Sequence, residues 1–305
     1  MKKIVLCPFV FKVKGAKNYA FFDLLNGRLF NVDPDGGDVE ELKEYMLKNE
    51  LAYDTEYVIP KKLHMNISEY KSLVSLREVQ IRTTGKCDLE CDDCGRSCQC
   101  FKSEGDMTMD RLKKIVMQLK YIPTAEVLVT GGNPLLKPDL LEYIKKELHV
   151  EKYKILTREK VGNVAMKRFK QMGFDVIFSH RRISEITETK LVSDAFSFFY
   201  NKEFNPCWGN TVAFDTDGSI KPCLWSDEVV GNAHGNDIKT LIGAGKFNKF
   251  WELKKDNIEV CKKCEYRYGC YDCRVSILNQ GRSLTDKTNG CSYNPDSGRW
   301  EEYSS

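Results

Sequence analysis

Apolar positions recur along this chain with two different rhythms, and the rhythm changes near Arg77. Before that point, Ile4–Val13, Tyr19–Leu24 and Arg28–Val32 read as strands. Asn26-Gly27 lies between the last two and is a hairpin signal, because both residues tolerate positive φ. Asp33-Pro34-Asp35-Gly36-Gly37 then breaks the sheet. Asp38 is placed to cap a helix reaching Lys48, with Val39, Leu42, Tyr45 and Met46 on one face. Three strands and a helix make a small α+β module over residues 1–70, and Pro60-Lys61-Lys62 begins the link onward.

From Arg77 the order becomes strand, loop, helix. Glu78–Arg82 is a strand. Thr108 caps a helix whose Met109, Leu112, Ile115, Val116 and Leu119 follow helical spacing. Glu126–Val129 is a strand and Asp139–Leu148 a helix. Tyr153–Leu156 is a strand and Asn163–Met172 a helix that Gly173 ends. Phe174–Phe178 is a fourth strand and Ala195–Tyr200 a candidate fifth. This alternation predicts a parallel sheet with right-handed crossovers, over residues 77–203. Sites on such sheets lie at the C-terminal strand ends, where Cys87 and Gly131-Gly132 fall. Residues 204–305 are loop-rich. There Thr211–Phe214 and Ser219–Lys221 form a hairpin around Asp217-Gly218, and a helix is predicted at Asp237–Lys255.

Composition narrows the class. The chain has 305 residues, enough for two or three domains, and 42% hydrophobic residues, enough for a core. Its 47 basic and 44 acidic residues nearly cancel, which gives no argument for a nucleic-acid partner. The first residues lack a clear signal-peptide pattern, and no apolar window is long enough to span a bilayer; a cytoplasmic location is the expectation. Thirteen cysteines in such a chain point to metal or to chemistry more than to a disulfide framework.

Cys87, Cys91 and Cys94 set three thiols in one compact loop just after a strand. Three ligands on a four-iron cluster leave one iron open to a small molecule. The spacing resembles that of the radical S-adenosylmethionine superfamily, which implies a partial (β/α) barrel; this one is shortened, since too few residues lie between Glu78 and Cys207 for the family's usual six strand–helix units. In that family the open iron chelates the methionine part of the cofactor, and the radical formed from it abstracts a hydrogen atom. Thr130-Gly131-Gly132-Asn133-Pro134 resembles the family's glycine-rich turn, which implies that Gly131, Gly132 and Asn133 lie against the cofactor's amino group. The family usually has Glu where this chain has Asn133, and an aromatic where it has Asp93. Cys98 and Cys100 read as spare ligands, as candidate hydrogen donors, or as small buried apolar residues.

The tail order is Cys207, Gly218-x4-Cys223, Cys261-x2-Cys264-x5-Cys270-x2-Cys273 and Cys291. It resembles the SPASM domain, which carries auxiliary four-iron clusters in peptide-modifying radical enzymes. By position, the resemblance implies an outer cluster on Cys261, Cys264, Cys270 and Cys291, and an inner one on Cys207, Cys223 and Cys273. Trp208 and Trp225 would shield these clusters from water. The N-terminal module resembles the winged-helix-like peptide-recognition element of such maturases, where a leader peptide adds a strand to a sheet edge. Phe11–Ala16 and Phe22-Asp23-Leu24 also resemble the start of maturases paired with an ATP-grasp ligase. The implied function is modification of a ribosomally made precursor peptide, by a crosslink such as a thioether or by epimerisation. A flavodoxin or ferredoxin would supply electrons. Two alternatives stay open: a non-catalytic, cluster-bearing scaffold that presents a peptide to another enzyme, and a zinc-stabilised interaction protein, since paired Cys-x2-Cys is also zinc spacing.

Overall fold

A computed structural model describes residues 3–35, 39–55, 61–67, 75–88, 105–157, 162–178, 186, 190–271, 273–278, 280–288 and 290–301. In chain order the first elements are β1 (Lys3–Leu6), β2 (Val10–Lys14), β3 (Tyr19–Asp23), β4 (Arg28–Val32), helix α1 (Val39–Lys48) and β5 (Ala52–Thr55). Next come β6 (Leu76–Arg82), α2 (Met109–Leu119), β7 (Thr124–Thr130), α3 (Pro138–Glu147), β8 (Lys152–Thr157), α4 (Gly162–Gln171) and β9 (Asp175–Phe178). Helix α5 (Ala195–Asn201) precedes β10 (Thr211–Phe214), β11 (Ser219–Lys221) and β12 (Gly231–Asn232). The remainder holds α6 (Ile238–Gly243), α7 (Asn248–Trp251), α8 (Val275–Leu278) and the short pair β13 (Tyr293–Asn294) and β14 (Arg299–Trp300).

The chain divides into two units. One comprises residues 1–69, 184–207 and 253–305; the other comprises 70–183 and 208–252. In the first, β2, β3 and β4 form the antiparallel sheet that the sequence pattern predicts, with Gly27 at φ 65° in the β3–β4 turn. Asp23 fixes that turn by accepting hydrogen bonds from the Asn26 backbone N–H and side-chain amide and from Arg28 Nε. Two expectations are corrected here. The run Ile4–Val13 is two strands, because the chain turns at Pro8-Phe9. β1 leaves the three-stranded sheet and pairs antiparallel with β5.

Within this unit the N-terminal sheet meets the cysteine-rich tail. Asn31 donates to Glu265 at 2.9 Å, and the Ala16 N–H donates to the Lys263 carbonyl at 2.8 Å. The predicted fifth strand at Ala195–Tyr200 is instead α5. The Asp194 carboxylate accepts from the Ser197 N–H and caps it, and its Phe198 packs on Phe11, Phe22 and Tyr268. The aromatic run Phe198-Phe199-Tyr200 has no alternation, so it suits a buried helix face as well as a strand.

The second unit is one seven-stranded sheet in the order β12-β11-β10-β6-β7-β8-β9. The five strands from β10 to β9 are parallel, and β11 and β12 extend them antiparallel. Four strand units, β6 to β9, stand where the alternating pattern places them, and the architecture is the mixed α/β form expected of a partial barrel. Helix α2 is capped by the Thr108 hydroxyl and buries Leu112, Ile115, Val116 and Leu119. The predicted helix Asp237–Lys255 is broken into α6, α7 and a single 3₁₀ turn; α6 ends at Gly243, and Gly245, at φ 68°, turns the chain out of the helix. Its predicted start is right: the Asp237 side chain accepts from the Thr240 N–H. Among the described residues, no helix is long and apolar enough to cross a membrane.

Candidate functional site

Parallel strands end together, so the loops after β6 and β7 lie side by side. The register pairs Arg82 with Thr130, the last residues of the two strands. Beyond them the chains stay in contact. Gly132 N–H donates to the Thr84 carbonyl and Asn133 N–H to the Lys86 carbonyl, both at 2.9 Å. The contact leaves no room for side chains. A Cβ on Gly132 would stand 2.0 Å from the Lys86 carbonyl oxygen and 2.9 Å from the Cβ of Cys87. One on Gly131 would stand 2.7 Å from the Thr84 carbonyl oxygen. Glycine is therefore required here by the base of the cysteine loop itself. Cys87 is partly buried at this junction. Cys91, Cys94, Cys98 and Cys100 lie outside the described residues.

Asn133 is 5% exposed, and its side chain is engaged at both ends. Oδ1 accepts from the Leu135 N–H at 3.1 Å, capping the 3₁₀ turn Pro134–Leu136. Nδ2 donates to Asp88 Oδ1 at 2.6 Å. Asp88 did not stand out in the sequence, since its partner lies 45 positions away.

A second anchor sits at the far end of the same loop. Thr84 and Asp106 form an isolated antiparallel bridge, and the Gly85 N–H donates to the Gly105 carbonyl at 2.9 Å. The Asp106 carboxylate accepts from the Thr84 hydroxyl at 2.6 Å and pairs with Lys86 and Lys137, each at 3.1 Å. The Thr84 hydrogen bond, followed by those of the two lysines, holds its pKa at about 2. The segment carrying the cysteines is thus pinned at both ends to the C-terminal edge of the sheet.

On the other side of β6, a buried polar group fixes the hairpin. Arg82 donates to both Asp215 carboxylate oxygens, at 3.2 and 3.3 Å, and to the Leu224 carbonyl at 3.1 Å. Lys221 joins Asp215 at 2.8 Å, and Gln80 Oε1 accepts the Leu224 N–H at 3.1 Å. Cys223, 4% exposed and next to Leu224, is thereby carried to the C-terminal half of β6. In the same unit Trp208 is fully buried, with its ring edge-on to Phe250.

The tail cysteines of the first unit sit on short turns. Cys261 opens a 3₁₀ turn, and its carbonyl accepts the Cys264 N–H at 2.9 Å. Burial raises the Cys264 thiol pKa well above its ordinary value, and the nearby Cys270, Glu265 and Cys261 raise it further. Cys270 and Cys261 each stand close enough to Cys264 to act on its thiol. Cys291 bridges to Ile186, while Cys207 and Cys273 are partly buried. Among the described residues, no group of three or more His, Cys, Asp or Glu side chains is arranged to hold a metal ion.

A 94-residue stretch is 30% identical to the PqqA peptide cyclase of Bradyrhizobium diazoefficiens, covering 28% of this chain. The chain spans 25% of the length of that curated relative. No family model matches the chain. Among solved structures, it overlaps anSMEcpe with bound AdoMet and Cp18Cys peptide, at a TM-score of 0.47 and 14% identity, over 70% of this chain and 94% of that one. Streptococcus suis SuiB bound to precursor peptide SuiA gives 0.39 and 11%, over 95% and 100% of the two chains. BtrN in complex with AdoMet and 2-DOIA gives 0.41 and 15%, over 64% and 98%.

Proposed function

We propose that this chain is a radical S-adenosylmethionine enzyme that modifies a ribosomally made precursor peptide. The observation that supports this most is the junction below Cys87: Thr84 and Lys86, just ahead of the first residue of a three-thiol loop, are bonded backbone to backbone to Gly132 and Asn133 at the C-terminal end of a parallel sheet, and the Cys87 Cβ leaves no room for a side chain on Gly132. Cys87, Cys91 and Cys94 would hold a four-iron cluster which, with S-adenosylmethionine bound, would supply the radical chemistry that takes hydrogen from a peptide carbon. The protein's part is to fix Cys87 through the Thr84, Asp106 and Asn133 hydrogen bonds, and to present backbone at Gly131 and Gly132.

The tail is read as the holder of auxiliary four-iron clusters. Cys261, Cys264 and Cys270 supply three thiols for the outer one, and Cys291 is the fourth by motif order. Cys207, Cys223 and Cys273 keep the inner role that the order assigns. A leader-bearing precursor peptide and a small electron-donor protein are the expected partners, with an ATP-grasp ligase as a third. Cys98 and Cys100 remain candidate hydrogen donors.

The test is anaerobic reconstitution followed by S-adenosylmethionine and a reductant. Wild type should release 5′-deoxyadenosine, and Cys87→Ala should release none. Full activity in that variant would refute the assignment. Wild type that holds iron and cofactor yet releases no 5′-deoxyadenosine would favour the scaffold reading. Colourless protein carrying zinc would favour the interaction protein.

A further inference from the structure

We propose that Asp88 provides the anionic partner for the cofactor's amino group, and that Asn133 is the residue that positions it; this rests on the reading that the site takes S-adenosylmethionine.

The resemblance puts a Glu where this chain has Asn133, so the carboxylate expected beside the glycine turn is missing from that position. The structure returns a carboxylate to the same spot from the facing loop. Asn133 points its amide nitrogen at Asp88 Oδ1, 2.6 Å away, and spends its oxygen on the Leu135 N–H. Its oxygen is thus turned toward its own backbone, while its nitrogen holds a negative group. Asp88 directly follows Cys87, whose Cβ would lie 2.9 Å from a Cβ on Gly132. The proposed iron ligand, the glycine turn and the carboxylate therefore converge within a few residues.

Charge bookkeeping favours the assignment. The nearby ammonium groups of Lys86 and Lys137 are both committed to Asp106. Among the described residues Asp88 forms no ion pair, its Oδ2 accepts no hydrogen bond, and the residue is exposed. An ammonium ligand would give it a charge-assisted hydrogen bond, which is stronger than the bond a neutral amide oxygen offers. The side-chain amide of Asn133 fixes the carboxylate without cancelling its charge.

The experiment uses the reconstituted full chain and equilibrium dialysis without reductant, so that binding is read apart from turnover. Two probes are compared: S-adenosylmethionine, and 5′-methylthioadenosine, which lacks the amino-acid portion. Wild type should prefer the first. D88N should weaken S-adenosylmethionine about tenfold while leaving 5′-methylthioadenosine unchanged. N133A should shift in the same direction by a smaller factor, since the carboxylate survives but is no longer held. The exchange D88N/N133D reverses the hydrogen bond and moves the carboxylate across it, and should restore binding to within about threefold of wild type. Iron per chain, measured on every variant, shows whether the cysteine loop is intact. Equal S-adenosylmethionine binding by wild type and D88N overturns the proposal and leaves the cofactor reading standing. Equal losses for both probes in D88N overturn it too, since Asp88 would then only shape the loop. A wild type with no preference between the probes sinks both the proposal and the cofactor reading.

Discussion

Asp106 shows how one side chain stabilises the site and leaves a measurable trace. Its carboxylate is held by the Thr84 hydroxyl and two lysines, which lower its pKa from 3.8 to about 2. A group with a lowered pKa stabilises the fold at neutral pH, and that contribution disappears as pH falls through the folded-state value. Unfolding free energy should therefore fall between pH ~4 and ~2 partly through this residue. Asp106→Asn should be less stable than wild type at pH 7, and the gap between the two should close by pH ~2. Urea unfolding at a series of pH values checks this; a gap constant with pH would show that Asp106 acts through shape alone. At this scale the sequence was legible only where a residue type is its own signal. The cysteines and the paired glycines stand out in the chain, whereas Asp88, Asp106 and Asp215 are ordinary acids until folding brings distant partners to them.

Elements whose apolar spacing is regular and whose ends carry a capping residue were readable in advance. Helix α2 begins after Thr108 as its pattern requires, and strands β6 to β9 fall within a residue or two of the expected runs. Segments lacking such periodicity were not. Helix α5 carries Phe196, Phe198, Phe199 and Tyr200 in close succession, and its helical state is settled by the Asp194 cap and by packing against the N-terminal sheet. β1 and β5 are only four residues long and pair across an intervening helix, which no local pattern announces. The importance of the Asp194 cap can be measured. Asp194→Ala removes the acceptor for the Ser197 N–H and should cost about 1 kcal/mol of stability. Asp194→Ser should recover most of it. Thermal unfolding of the two variants distinguishes a capping role from a mere change in charge.

Across the whole molecule, the strand that leads into the cysteine loop is central, and it is assembled from both directions along the chain. β6 takes β7 on one side and β10 on the other. The join to β10 is sealed by the Arg82–Asp215 pair, whose side chains are 6% and 7% exposed. Removing one member of a buried pair leaves the other charge without compensation, which typically costs about 3–5 kcal/mol. Asp215→Asn should therefore lower the denaturant midpoint sharply, while Lys221→Met, which leaves Arg82 paired, should cost much less. Similar losses in both variants would show that Lys221, and not Arg82, is the cation that matters.

The same join has a consequence for biosynthesis. Arg82 and Asp215 are 133 positions apart, so the side of β6 that receives β10 stays bare while the intervening chain is translated. At about 5–20 residues per second, that interval is on the order of ten seconds. Recovery of this polypeptide from an expressing cell thus depends on what shelters Val79 and Ile81 during those seconds, as well as on how firmly the finished sheet holds together.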